Sequence, residues 1–176
     1  MKHSFKEILE LIKTQGFYFY EIQLNALVHQ LMEKHVFTET SYIPGKDAGL
    51  SAGFIEDSLS NEMIRLLAEP FEKSELHYFK TLSYTAHKFK FGESMDLHSD
   101  YIERGEYQIL TWLCEKEDFI GREFIYGNRE ADQIMKIRPR NGLVCILDLR
   151  DKKFVHGVGE LKSNHSVITI CGSLYN

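Results

Sequence analysis

The sequence predicts a mainly β fold, a β-sandwich or jelly roll, with helices placed before it that buttress one sheet. Two observations predict it. From Leu76 onward, seven or eight short segments rich in Val, Ile, Tyr, Phe and Thr follow one another, separated by Gly, Asp, Asn or Pro. That spacing suits antiparallel strands better than an open α/β sheet. Before Leu76, apolar residues recur at helical spacing. With 176 residues, 43% of them hydrophobic, the chain has material for one core and is read as a single domain, residues 1–75 mostly helical support and 76–176 the β part.

The elements follow in order. Ser4 and Glu7 form a capping-box pattern before Ile8, Leu9, Leu11 and Ile12, and Gly16 ends that helix. "FYFY" (17–20) is short and aromatic, as strands are. "IQLNALVHQLMEKH" (22–35) returns its apolar residues mostly to one face of a second helix, and its His29 and His35 are read as surface or packing histidines. Residues 38–60 turn to Gly, Ser, Asp and Pro, a long loop that would shape an entrance. "SLSNEMIRLLAEPFEKS" is a third helix with Ser60 or Asn61 as cap. The strand segments are "LHYFKTLSYTAHKFKF", "YQILTWLCE", "EFIYG", "QIMKIRP", "GLVCILDL", "FVHGVGEL" and "SVITICGSLY". Trp112 falls within one of them and is read as core.

A net charge of −5 and a pI near 5.9 argue against an electrostatic grip on nucleic acid or on an anionic membrane surface. Cys114, Cys145 and Cys171 show no CxxC spacing, so reduced structural thiols are expected. No apolar run approaches the ~20 residues that span a bilayer, and Met1–Gln15 is too charged for a signal peptide's apolar core. The chain reads as cytoplasmic and soluble.

In an extended segment, His98 and Asp100 point to the same face, within reach of one metal ion, while Leu97 and Ser99 point to the other. A second histidine, His156, stands in "KKFVHGVGEL" near the end of another strand. Two imidazoles and one carboxylate on one face of an octahedral ion leave three adjacent positions open. That arrangement is associated with non-haem Fe(II) oxygenases, and it would also accept Mn, Co, Ni or Zn.

The surrounding segments carry a family resemblance. "HKFKFGESMDLHSDY" resembles the strand, glycine turn and HxD of prolyl-hydroxylase-type 2-oxoglutarate/Fe(II) dioxygenases. "QILTWLCEKEDFIGREFIYG" is similar to the next two strands of that family with their GGxL-like step, and "IRPRNGLVCILDLRDKKFVHGVGEL" to its Pro-x-x-Gly turn, apolar strand and distal His-x-V. The resemblance covers residues 76–176. It implies a double-stranded β-helix, the cupin-like jelly roll, with His98, Asp100 and His156 as the catalytic iron ligands. It further implies Fe(II) as cofactor, 2-oxoglutarate and O2 as co-substrates, and hydroxylation of an amino-acid side chain, free or within a protein. Because Asp100 is present, no ligand position is left for a halide.

One position departs from the pattern. The family places a basic residue, usually Arg, about nine to eleven positions beyond the distal histidine, where it pairs with the far carboxylate of 2-oxoglutarate. Here "KSNHSVITICGS" offers no Arg. His165 stands as the replacement, Thr169 where the family has Ser, Lys162 as a second candidate in a turn, and Tyr107, Tyr84 or Tyr126 as hydrogen-bond donors to a bound carboxylate. The gap allows three readings: a basic residue from another strand, such as Lys88, Lys90, Arg122 or Arg138; a different co-substrate; or a degenerate site. Tyr101 would line the substrate pocket. Two other classes stay open, a cupin-like metalloenzyme that does not use 2-oxoglutarate and a non-catalytic β-sandwich binding module.

Overall fold

Ser4 Oγ accepts from the Glu7 amide at 3.2 Å, and the Glu7 carboxylate accepts from the Ser4 amide at 2.8 Å, so the expected capping box starts helix α1 (Phe5–Gln15). Gly16, at φ 84°, ends it, its amide donating to the Ile12 carbonyl. The computed structural model describes residues 4–35, 37–39, 51–79, 84–100, 105–114 and 120–174. Tyr101 and residues 40–50 of the expected loop lie outside these.

Strand β1 (Phe17–Glu21) follows α1, and α2 (Ala26–Glu33) begins later than its apolar spacing suggested, because the Asn25 side chain accepts from the Val28 amide and fixes the cap there. The flanks of the expected 38–60 loop are ordered: β2 (Thr38–Glu39) pairs with β3 (Ser51–Phe54). Helix α3 (Asp57–Ala68) starts ahead of the expected Ser60 or Asn61 cap. Its face needs Leu59 as well as Met63 and Leu66 for the core, and the acidic Asp57 suits the first turn. A 3₁₀ helix (Lys73–Phe79) takes the first part of what reads as a strand. Its buried Glu75 accepts from the Phe5 amide at 2.7 Å and ties this turn to the start of α1.

The remaining strands are β4 (Tyr84–Phe89), β5 (Met95–His98), β6 (Tyr107–Cys114), β7 (Phe124–Asn128), β8 (Gln133–Ile137), β9 (Leu143–Asp148), β10 (Phe154–Val158) and β11 (Val167–Leu174). They form two antiparallel sheets, a major one in the order β1-β9-β6-β11-β4-β3-β2 and a minor one in the order β5-β10-β7-β8. Three strands from the first 75 residues thus join the major sheet, so the N-terminal part supplies sheet as well as helical support.

Alternation along the central strands explains why they read as unbroken apolar runs. Tyr107, Ile109, Leu113, Val144, Ile146 and Ile170 face the helices, whereas Leu110, Trp112, Cys145, Leu147 and Cys171 face the minor sheet. Each fully buried aliphatic or aromatic side chain contributes about 1.5–3 kcal/mol, so both faces of the major sheet stabilise the fold. The interior between the sheets also holds polar groups, Asp100, Arg122, His156 and Thr169 among the buried ones. No described helix is long and apolar enough to cross a membrane.

Candidate metal centre

His98 ends β5 and His156 lies in the middle of β10, and the two are direct partners across the antiparallel pair. The next pair is Val158 with Met95, so two steps along β10 face three along β5, a β-bulge at Asp96 and Leu97. Gly157 makes room for it, since a Cβ there would stand 2.9 Å from the Met95 carbonyl oxygen. The bulge turns the Asp96 carbonyl toward His98, whose Nδ1 lies 2.8 Å from it. A carbonyl only accepts, so Nδ1 carries the proton and Nε2 is left with its lone pair.

That Nε2 lies 3.7 Å from Asp100 Oδ1, and His156 Nε2 lies 3.6 Å from Asp100 Oδ2. The ligand atoms of all three residues fall within 4.8 Å of one another. Ligand atoms sharing one first-row ion at about 2.1 Å are separated by about 3.0 Å when adjacent and about 4.2 Å when opposite, so the measured spacings fit an ion between them. Lys152 donates through its ammonium to the Asp100 carbonyl and fixes the backbone that carries the carboxylate. The donor set, one hard oxygen ligand and two imidazoles with one tautomer already set, fits Fe(II) and its neighbours.

Asp100 and His156 are each only 8% exposed. Burial pushes the His156 imidazole down to about 4, with repulsion from His98 adding to it and Asp100 opposing it. His156 is therefore neutral at pH 7, the form a metal requires. An unfolded histidine titrates near ~6.5, so as pH falls from there toward the folded value, the unfolded chain takes up a proton that the folded chain does not. Metal-free protein is expected to lose up to about 3 kcal/mol of stability across that window. Urea unfolding in chelator at pH 6.5 and pH 4.5 measures this, and His156→Gln is expected to flatten the dependence; the same slope in the variant would show that His156 is not its source.

Deeper between the sheets stands Arg122, 0% exposed and presented by a loop residue at φ 63° just before β7. Its Nη2 donates to Thr169 Oγ1 at 2.9 Å, and its guanidinium carbon sits 3.6 Å from the centroid of the Phe89 ring. Nε and Nη1 are buried without a partner, and among the described residues Arg122 forms no ion pair. Burial pushes its pKa down to about 9, against weaker opposing contributions from Cys171, Cys114 and Glu93. A cation so placed costs free energy unless an anion joins it, and two of its donor nitrogens are unspent. The preceding Gly121 allows the close approach, because a Cβ there would meet the Glu160 carbonyl oxygen at 2.0 Å while the Arg122 amide donates to that oxygen at 3.0 Å.

The structure thus brings His98, Asp100 and His156 together, and joins Thr169 to Arg122 in the same interior. Of the other expected residues, Tyr126 also lines that interior, whereas Tyr84 and Tyr107 belong to the helical side of the major sheet. Lys162 is exposed in the turn after β10, and His165 is half-buried in the bend before β11. Tyr107 faces the helical layer, under the Arg150 guanidinium at 4.6 Å, with the major sheet between it and the His98, Asp100 and His156 cluster. Of the four other basic residues considered, Lys90 and Arg138 are exposed, and Lys88 lies beside Ile168 on the helical face of its sheet. Arg122 is the one the interior holds; the sign of it in the sequence is a lone cation inside "IGREF", between two apolar strands.

No protein-family model matches the sequence, and no curated protein does. Solved structures do match. An oxidoreductase of the 2OG-Fe(II) oxygenase family from Burkholderia pseudomallei superposes with a TM-score of 0.66 at 11% identity, over 99% of this chain and 95% of that one. A prolyl hydroxylase from Trichoplax adhaerens, solved with a hypoxia inducible factor oxygen degradation domain peptide, gives 0.68 at 16% identity over 96% and 88%. A Pseudomonas putida prolyl-4-hydroxylase gives 0.62 at 11% identity over 96% and 98%. Over nearly its whole length, the chain has the jelly-roll fold of these oxygenases.

Proposed function

We propose that the protein is a non-haem, Fe(II)- and 2-oxoglutarate-dependent oxygenase that hydroxylates an amino-acid side chain, free or within a protein. The observation that carries this reading is the pairing, between the same two sheets, of a two-histidine, one-carboxylate cluster with a buried arginine that has two donors unspent. His98, Asp100 and His156 would hold Fe(II), which when bound supplies chelation of the keto acid and activation of O2. Arg122 and the Thr169 hydroxyl would take the far carboxylate of 2-oxoglutarate by charge-assisted hydrogen bonds, orienting the co-substrate along the interior. Phe89, Trp112, Phe124 and Tyr126 line that interior with apolar surface, which keeps water from the reacting groups. One oxygen atom would go to succinate, with loss of CO2, and the other to the substrate C–H as an alcohol.

The peptide bound to the Trichoplax adhaerens prolyl hydroxylase supports a peptidyl substrate for this chain too. Three buried thiols outside any disulfide, Cys114, Cys145 and Cys171, fit a reducing, cytoplasmic setting.

The test is an anaerobic titration of Fe(II)-loaded protein with 2-oxoglutarate, followed by its visible charge-transfer absorption. A saturable band, and succinate release once O2 is admitted, are expected. Iron uptake with no band would end the 2-oxoglutarate reading and favour a metalloenzyme that does not use the keto acid.

A further inference from the structure

The helical layer stops short of one end of the major sheet. Lys88, Ile168 and Leu113 stand side by side on its helical face, in register across β4, β11 and β6. Where α2 ends, a cavity of about 420 Å³ lies over this row. Leu113 and Ile168 form an apolar floor, and Met32 and Phe37 line it further. Its volume falls in the range of small-molecule sites, about 300–1,000 Å³.

Three basic side chains, Lys88, His29 and His35, edge it. Lys88 forms no ion pair among the described residues and lies 5.8 Å from the Phe37 ring centroid. His35, edge-on to Phe37 at 4.6 Å, has its Nε2 buried without a hydrogen bond. His29 joins the lining, and the acid there, Glu33, is exposed. An ammonium and two imidazoles above an apolar floor match an anionic head on an apolar body.

We infer that this cavity binds a small organic anion with an apolar body, such as an aryl or alkyl carboxylate, and that its occupancy tunes the site on the other side of the sheet. Ile168 lies between Val167 and Thr169, and Lys88 between His87 and Phe89. The floor is therefore the reverse side of the backbone that carries the hydroxyl and the ring holding Arg122. A ligand that shifts either strand shifts that guanidinium. The coupling rests on the reading of Arg122 as co-substrate anchor; the binding does not.

The probe is 1-anilinonaphthalene-8-sulfonate, an aryl anion, titrated into the full chain and followed by fluorescence and by the histidine imidazole signals in NMR. Saturable binding at one equivalent is expected, shifting His29 and His35 and leaving His98 and His156 in place. Lys88→Glu is expected to weaken it at least tenfold; if that variant fails to fold by circular dichroism, the histidine shifts of the unmodified protein decide. Saturating probe is expected to change the 2-oxoglutarate dissociation constant at least about fivefold. Absent binding, shifts confined to His98 and His156, or equal affinity in a folded Lys88→Glu would overturn the site. Probe binding with an unmoved keto-acid affinity would overturn the coupling alone. A chain that never binds 2-oxoglutarate would instead overturn the reading of Arg122, with the cavity still judged by His29 and His35.

Discussion

Asp100→Ala is expected to abolish metal binding while leaving the metal-free chain as stable as before, or more so. The carboxylate supplies the only negative charge of the cluster and sits within 3.7 Å of both imidazole nitrogens. Its loss removes one of three ligands, and the affinity is expected to fall further than the 10–100-fold typical of outer-shell changes. The same carboxylate is buried, and its oxygens accept no hydrogen bond from the described residues. A desolvated carboxylate without donors costs the fold, so removing it should not weaken the metal-free protein. Thermal melts with and without Mn(II) separate the two effects. At a hundredfold excess over the dissociation constant, bound metal stabilises by about 2.7 kcal/mol, a rise of roughly 5–10 °C for a chain of this length. The rise should vanish in Asp100→Ala. An equal rise in both proteins would place the metal elsewhere.

The second large effect is expected of Arg122→Met, with opposite signs for stability and function. Methionine fills similar volume without a charge, and replacing a buried unpaired ion by an apolar side chain commonly stabilises by about 1–3 kcal/mol. Thr169 loses a donor but keeps a hydroxyl that can turn to another acceptor. Two charge-assisted hydrogen bonds to a bound carboxylate, at about 1.5–3 kcal/mol each, would go, so the 2-oxoglutarate affinity is expected to fall at least about 100-fold. Metal affinity should hold, since the guanidinium touches none of the three ligands. A variant that is less stable and binds the keto acid normally would make Arg122 a structural residue.

The strands and the nearness of His98 to Asp100 were legible because each rests on local pattern, whereas His156 joined them through the family resemblance. β-branched and aromatic segments between turn residues mark strands, and His98 and Asp100 share a face two residues apart. What stayed hidden is non-local. The bulge opposite Gly157 exists only when β5 lies against β10, and it, not simple alternation, sets the Asp96 contact that orients His98. Arg122 reaches Thr169 across 47 positions of sequence, so no spacing rule could select it over Lys88 or Arg138. His165 drew notice by its distance from His156 and by sharing alternation with Thr169, and it stands half-buried in the bend before β11, which begins at Val167. The capping box of α1 was plain, whereas α3 began early because tertiary burial of Leu59 outweighed a good cap at Ser60.

The order of the major sheet sets the timing of folding. β11 lies at its middle, hydrogen-bonded to β6 on one side and β4 on the other, and β1 waits for β9, more than a hundred residues later. The two halves of the sheet cannot join until residues 167–174 have left the ribosome. Until then the apolar strands already made remain open to solvent and to chaperones. Pairings at such separation mean high contact order and folding in milliseconds to seconds, not microseconds.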